Sequence, residues 1–73
     1  MSYKLLVGNV LFSNELTGQQ NRNKFFPQNT EVEVVRNLEA HETSAQEQYV
    51  KIKTTDSEGD WYAYVRLSDL EQL

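Results

Sequence analysis

The chain has 73 residues, no cysteine and a formal net charge of −4. We expect one domain, residues 1–73, with little structure left over to enclose a deep pocket, and disulfides and cysteine-ligated zinc are excluded. The acidic balance argues against a nucleic-acid-binding protein, because phosphates attract basic surfaces. The apolar runs are too short to span a bilayer, so the prediction is a soluble, cytoplasmic protein.

The first apolar run extends from Leu5 to Phe12 and is interrupted by Gly8-Asn9. Two structures stay open for it. Gly8-Asn9 is either the two-residue turn of a hairpin or a bulge in one strand that bends sharply. We favour the bent strand.

Residues 13–30, "SNELTGQQNRNKFFPQNT", are polar and rich in Asn and Gln. Gly18 and Pro27 interrupt the segment, which shows no helical periodicity. It is predicted to be a long ordered loop, anchored at its end by Phe25 and Phe26. A loop of this length in a small domain usually has a function, so Arg22 and Lys24 within it form a secondary candidate binding site.

The next segment, "TEVEVVR" at 30–36, alternates Val32 and Val34 with Glu31 and Glu33. Such alternation predicts a strand with one buried face. Residues 37–46 are a polar connection in which a helical turn is compatible with the composition.

Residues 49–66 form the clearest element, a β-hairpin closed by the turn "DSEG". Its register follows from keeping apolar side chains on one face. On that face the pairs are Thr54 with Trp61, Ile52 with Ala63 and Val50 with Val65; on the other they are Lys53 with Tyr62, Lys51 with Tyr64 and Tyr49 with Arg66. Trp61 is therefore predicted to be in the core, and the tyrosines on the surface.

The chain closes with Ser68-Asp69-Leu70-Glu71, which has the Ser-x-x-Glu form of a capping box. With few residues remaining, a short C-terminal helical turn is predicted. It would pack Leu70 and also Leu73 against the end of the fold.

The order of elements resembles an SH3-like barrel, and the nearest likeness is to bacterial SH3-type domains. The residues that carry the resemblance are "FFPQNTEVEVVRN" (25–37), "YVKIKTTDSEGDWYAYV" (49–65) and "LSDLE" (67–71). The resemblance implies a small, all-β, five-stranded barrel with a long polar first loop. It also implies that the domain binds another macromolecule. SH3 domains that bind proline-rich motifs carry Ala-Leu-Tyr-Asp-Tyr before that loop; here "LLVGNVLFSNEL" has no tyrosine, so proline-motif binding is not implied.

The residues do not form a catalytic or metal-binding motif. His41 is the only histidine, and its neighbours Glu39 and Glu42 make a weak ligand set. The acids at 56, 58 and 60 lack the other spaced ligands of a calcium loop, and no serine occupies a nucleophile elbow. We therefore predict a protein that is not an enzyme and has no cofactor.

The surface with the composition of a contact site is one face of the predicted hairpin. The leading prediction is a non-catalytic protein-binding module, or an accessory subunit docked on a larger complex. The alternatives are an acidic inhibitor or nucleic-acid mimic of a mobile element, and a nucleic-acid-binding barrel. The same residues also suit a plain sheet surface, with Lys51 and Lys53 paired to Glu33 and Glu31. The candidate residues are Tyr49, Lys51, Lys53, Tyr62, Tyr64 and Arg66.

Overall fold

The computed structural model describes residues 2–15, 22–38 and 48–73, and this part of the chain is all-β, as predicted. One turn of 3-10 helix, Leu67–Asp69, precedes the last strand. The strands are β1 (Ser2–Leu5), β2 (Val10–Ser13), β3 (Asn23–Phe26), β4 (Glu31–Asn37), β5 (Tyr49–Asp56), β6 (Gly59–Arg66) and β7 (Leu70–Gln72).

These strands form a single antiparallel sheet in the order β3-β2-β6-β5-β4-β1-β7. Over the described residues the sheet is open, with β3 and β7 at its edges, and it has seven strands where five were predicted. The additional strands come from the N-terminal third of the chain. They are β2 and β3, which lie where a single bent strand and a loop were expected.

The β5–β6 hairpin has the predicted register at every pair, from Tyr49 opposite Arg66 to Thr55 opposite Asp60. Gly59 adopts a φ of 122° at the turn, a conformation that residues with a side chain rarely adopt. Trp61, Ala63 and Val65 are buried, so the predicted inward face of β6 is confirmed.

The N-terminal run is neither of the two structures considered for it. β1 pairs with β4 and β7, whereas β2 pairs with β3 and β6, so the strands do not form a hairpin with each other. Residues 6–9 instead carry the chain between distant parts of the sheet, and Asn9 takes a left-handed φ of 56°. Asn tolerates this conformation better than most residues.

The prediction of a long ordered loop over 13–30 was wrong toward its C-terminal end. Residues 23–26 form β3, which pairs with β2 through Leu11 opposite Phe25 and Val10 opposite Phe26. Because side chains alternate along a strand, Phe26 is buried whereas Phe25 is 64% exposed. Only Phe26 anchors the segment in the core.

The core lies on one face of the sheet and draws on all seven of its strands. The rings of Phe12 and Phe26 pack edge to face with their centres 4.8 Å apart, and the centre of the Phe26 ring is 6.2 Å from that of Trp61. Aromatic pairs in this arrangement add stability beyond the area they bury. The buried residues are Leu5, Phe12, Phe26, Val32, Val50, Ile52, Trp61, Ala63, Val65 and Leu70.

The predicted C-terminal turn is present, but a capping box does not form it. The 3-10 turn begins after Arg66 without a side-chain capping bond, and the chain then returns to extended structure as β7. Leu70 is buried as predicted, whereas Leu73 is exposed. Pairing of Leu70 with Leu5 on β1 places it in the core.

Candidate protein-binding face

The six candidate residues do lie together, on the face of the β5–β6 hairpin that points away from the core. We call this set the hairpin face. Tyr64 is the most exposed of its tyrosines, at 51%, while Tyr62 and Tyr49 are half-buried. The members of the hairpin face are Tyr49, Lys51 and Lys53 on β5 and Tyr62, Tyr64 and Arg66 on β6.

The basic groups of the hairpin face are engaged within the protein. The Lys51 ammonium lies 4.9 Å from the centre of the Tyr62 ring and donates to Glu15 Oε2 at 2.8 Å. The hydrogen bond to Glu15 raises the pKa of Lys51, against the opposing effect of partial burial. The Lys53 Nζ is 3.7 Å from Asp60 Oδ2, and the Arg66 Nε–H donates to the Tyr49 hydroxyl at 3.4 Å. The surface is therefore less basic than its composition suggests.

The ion pairs predicted between this face and β4 are not the ones that form. Glu33 lies opposite Lys53, where Glu31 had been expected. A β-bulge between Val34 and Arg36 then shifts the register, so Lys51 faces Arg36. Without the bulge Lys51 would be opposite Val35, so neither register offers it a carboxylate of β4. Lys51 bonds to Glu15 instead.

Three exposed apolar side chains near the hairpin face were missed in the sequence. Leu11 on β2 is 49% exposed, Phe25 on β3 is opposite it, and Val35 at the bulge of β4 is 48% exposed. β2 is antiparallel to β6, with Ser13 opposite Tyr62. Leu11 and Tyr64 are each two residues from this pair in the same direction along the sheet, so they lie close to each other. The sequence signal is the alternation Leu11-Phe12-Ser13 and Phe25-Phe26, which distinguishes outward from inward residues once both segments are treated as strands.

The secondary site, Arg22 and Lys24, is held in a charge network at the β5–β6 turn. Lys24 Nζ donates to Asp56 Oδ2 at 2.6 Å and to Glu58 Oε1 at 3.1 Å. Arg22 donates to Glu58 Oε2 at 2.6 Å. We call Arg22, Lys24, Asp56 and Glu58 the turn network. Its contacts give both predicted residues a structural role, because they join β3 to the hairpin.

The turn network also covers one end of the core. The Trp61 indole N–H donates to Asp56 Oδ1 at 2.9 Å, and the Glu58 backbone N–H donates to the same oxygen at 2.8 Å. Lys24 and Arg22 lie 5.7 and 5.9 Å from the centre of the indole ring, distances typical of cation–π contacts. The otherwise polar turn thus satisfies the hydrogen-bonding group of a buried side chain.

The charges of the turn network shift each other's ionisation. The Lys24 hydrogen bond, followed by that of Trp61, lowers the pKa of Asp56 to about 2. Lys24 and Arg22 lower the pKa of Glu58, and the bonds to both carboxylates raise the pKa of Lys24. All these groups are therefore charged around neutral pH.

Two sets of hypothetical metal ligands were considered, the group around His41 and the acids at 56, 58 and 60. His41, Glu39 and Glu42 lie outside the described residues, as does most of the predicted 37–46 connection. Within residues 2–15, 22–38 and 48–73, no three His, Cys, Asp or Glu side chains are arranged to hold a metal ion. In the same ranges, no helix has the length and hydrophobicity needed to cross a membrane.

Comparison of the chain with protein-family models, with curated proteins and with solved structures finds no match. Any functional assignment therefore depends on the geometry of the surface itself.

Proposed function

We propose that this chain is a small non-catalytic protein-binding module, or an accessory subunit that docks on a larger protein through the hairpin face. The observation that carries the proposal is the exposed Tyr64, with Leu11 beside it and the Lys51–Tyr62 cation–π pair next to it. Exposed aromatic and aliphatic area in a framework of paired charges is typical of protein contact surfaces.

The order of elements supports an SH3-like arrangement for this module. On this proposal β1, β4, β5, β6 and β7 correspond in chain order to the five strands of such a fold, and a 3-10 turn separates the last two. The paired strands β2 and β3 then take the place of the long first loop. The resemblance concerns architecture, and a fold of this kind serves many functions.

The acidic-mimic alternative is less well supported by the charges that the structure describes. A mimic needs carboxylates directed at the target, and several of the acids after residue 30 are engaged by basic groups of the same chain. Asp56 and Glu58 belong to the turn network, Asp60 lies near Lys53, and Glu71 is 3.6 Å from Lys4. A nucleic-acid-binding role is weakened in the same way, because Arg22, Lys24 and Lys51 are neutralised by acids.

The test is to capture a partner with the immobilised protein and then titrate it against variants. Tyr64→Ser should weaken binding by about 2 kcal/mol, or roughly 30-fold, if this ring anchors the complex. The fold should be little affected, because an exposed cross-strand pair contributes only about 0.2–1 kcal/mol. The matched control is Leu73→Ser, which removes a similarly exposed apolar side chain at the β7 end of the chain.

Salt separates the proposal from a charge-driven complex. An aromatic contact should keep its affinity between low and high ionic strength, whereas a mimic should lose its target steeply. Equal affinity of wild type and folded Tyr64→Ser would remove the hairpin face as the binding site.

A further inference from the structure

β3 is an edge strand whose outer side faces no other strand of the described chain. The direction of its backbone groups follows from its first contacts with β2. The Asn14 N–H donates to the Arg22 carbonyl at 3.2 Å, and the Arg22 N–H donates to Asn14 Oδ1 at 3.1 Å. Since these groups alternate in direction along a strand, those of Lys24 and Phe26 face β2, and those of Asn23 and Phe25 point outward.

Among the residues that the structure describes, the outward edge also lacks the usual protection against pairing with another chain. Edge strands are commonly guarded by a charged side chain, often lysine. The lysine of β3 is Lys24, and its ammonium is bound on the core side by Asp56 and Glu58. The side chain next to the outward-pointing backbone groups is instead Phe25, which is 64% exposed.

We propose that β3 is a self-association site, at which two copies of this chain extend their sheets by antiparallel β3–β3 pairing. The inference goes beyond the function proposed above, because it concerns the sheet edge and a different occupant. The occupant is a second copy because the exposed sequence matches itself in a register that satisfies the edge.

That register has its two-fold axis at Lys24. Asn23 of one copy is then opposite Phe25 of the other, and all the outward N–H and C=O groups of these two residues are paired. The two Phe25 rings become diagonal neighbours at about 7 Å, within the reach of aromatic side chains. The two Lys24 residues are opposite each other, but each ammonium is already neutralised by its own carboxylates.

The competing register, with its axis at Phe25, leaves the edge incompletely paired. It places Asn23 opposite Pro27, which has no N–H. The Pro27 carbonyl already accepts from the Thr30 hydroxyl at 2.7 Å. Hydrogen bonding therefore favours the Lys24 axis.

Two strands of this length bury less than the roughly 1,200 Å² typical of stable complexes. We therefore expect a weak dimer, visible by sedimentation velocity as the concentration rises from about 20 µM to about 1 mM. Phe25→Asp should weaken association at least tenfold, because it places a charge at the edge. Val35→Asp is the matched control, because it changes the net charge equally at an exposed valine on β4 and should associate like wild type.

A second variant tests the backbone directly. Asn23→Pro removes an N–H that points away from β2, so it should abolish pairing while the β2–β3 contacts stay intact by NMR. A spin label on Ser13→Cys, in a chain otherwise free of cysteine, should broaden amides of β3 in an unlabelled, ¹⁵N-enriched copy. A wild type that stays monomeric at about 1 mM, equal association of Phe25→Asp and Val35→Asp, or broadening centred on β7 would overturn the proposal.

Discussion

Trp61 combines a buried ring with a hydrogen bond to a surface carboxylate. The side chain is 2% exposed, and its N–H reaches Asp56 across the end of the hairpin. The ring could be assigned to the core from the sequence, because alternation along β6 separates it from Tyr62 and Tyr64. Its partner could not, because the network that fixes Asp56 includes Lys24, which is distant in the sequence.

Substituting Trp61 tests its place in the core. Trp61→Ala should reduce the free energy of unfolding by about 3–5 kcal/mol, as other large-to-small core changes do, and this loss could unfold the domain. Chemical denaturation followed by circular dichroism measures the effect. The assignment fails if Trp61→Ala keeps its stability while Tyr62→Ala unfolds the protein.

Asp56 makes stability depend on pH in the acidic range. Its pKa is about 2 in the folded protein, against an ordinary value of 3.8. A carboxyl with a lowered pKa contributes stability at pH values above its unfolded pKa and loses it as the pH falls through the folded one. Urea unfolding should therefore show decreasing stability from about pH 4 to pH 2.

Asp56→Asn is the control for this pH effect. It removes one titrating group and should flatten part of the acid slope, leaving the contribution of Glu58, whose pKa is also lowered. Identical slopes for wild type and Asp56→Asn would show that Asp56 is not held by the turn network in solution.

At the scale of strands, the β5–β6 hairpin was predictable because its signals are local. A tight turn and two alternating segments fix one register, and burial rejects the register one residue away. β3 was not recognised, since it has only four residues and follows a polar segment. β2 was expected as part of a bent strand or a hairpin with β1, and its pairing with β3 and β6 was not foreseen. Their contribution to the candidate surface, Leu11 and Phe25, was missed with them.

Hydrogen exchange tests how β3 lies in the sheet. The amides of Lys24 and Phe26 face β2 and should exchange slowly, whereas those of Asn23 and Phe25 face the open edge and should exchange rapidly. The measurement needs a dilute sample, in which the edges remain unpaired. Uniform exchange along β3 would contradict the assigned pairing with β2. In a concentrated sample, pairing of the edges should slow the exchange of the Asn23 and Phe25 amides relative to the dilute sample.

At the scale of the whole molecule, the sequence indicated the all-β class but not how the strands are arranged. The pairing of β1 with β7 and the separation of β1 from β2 both depend on contacts between distant parts of the chain. The bulge at Val35 is another such feature, because it is defined only relative to β5. Periodicity within one segment carries no information about these choices.

The pairing of β1 with β7 has a consequence for the speed of folding. Tyr3 is opposite Gln72, and the Leu73 N–H donates to the Ser2 carbonyl at 2.9 Å, so this ladder closes a loop of nearly the full chain length. Such closure is entropically costly and delays folding. A circular permutant in which a short linker joins Leu73 to Ser2 would turn this ladder into a local hairpin, and stopped-flow refolding should then be faster. An unchanged rate would mean that the ladder forms only after the barrier has been crossed, as a last step in which the two ends meet.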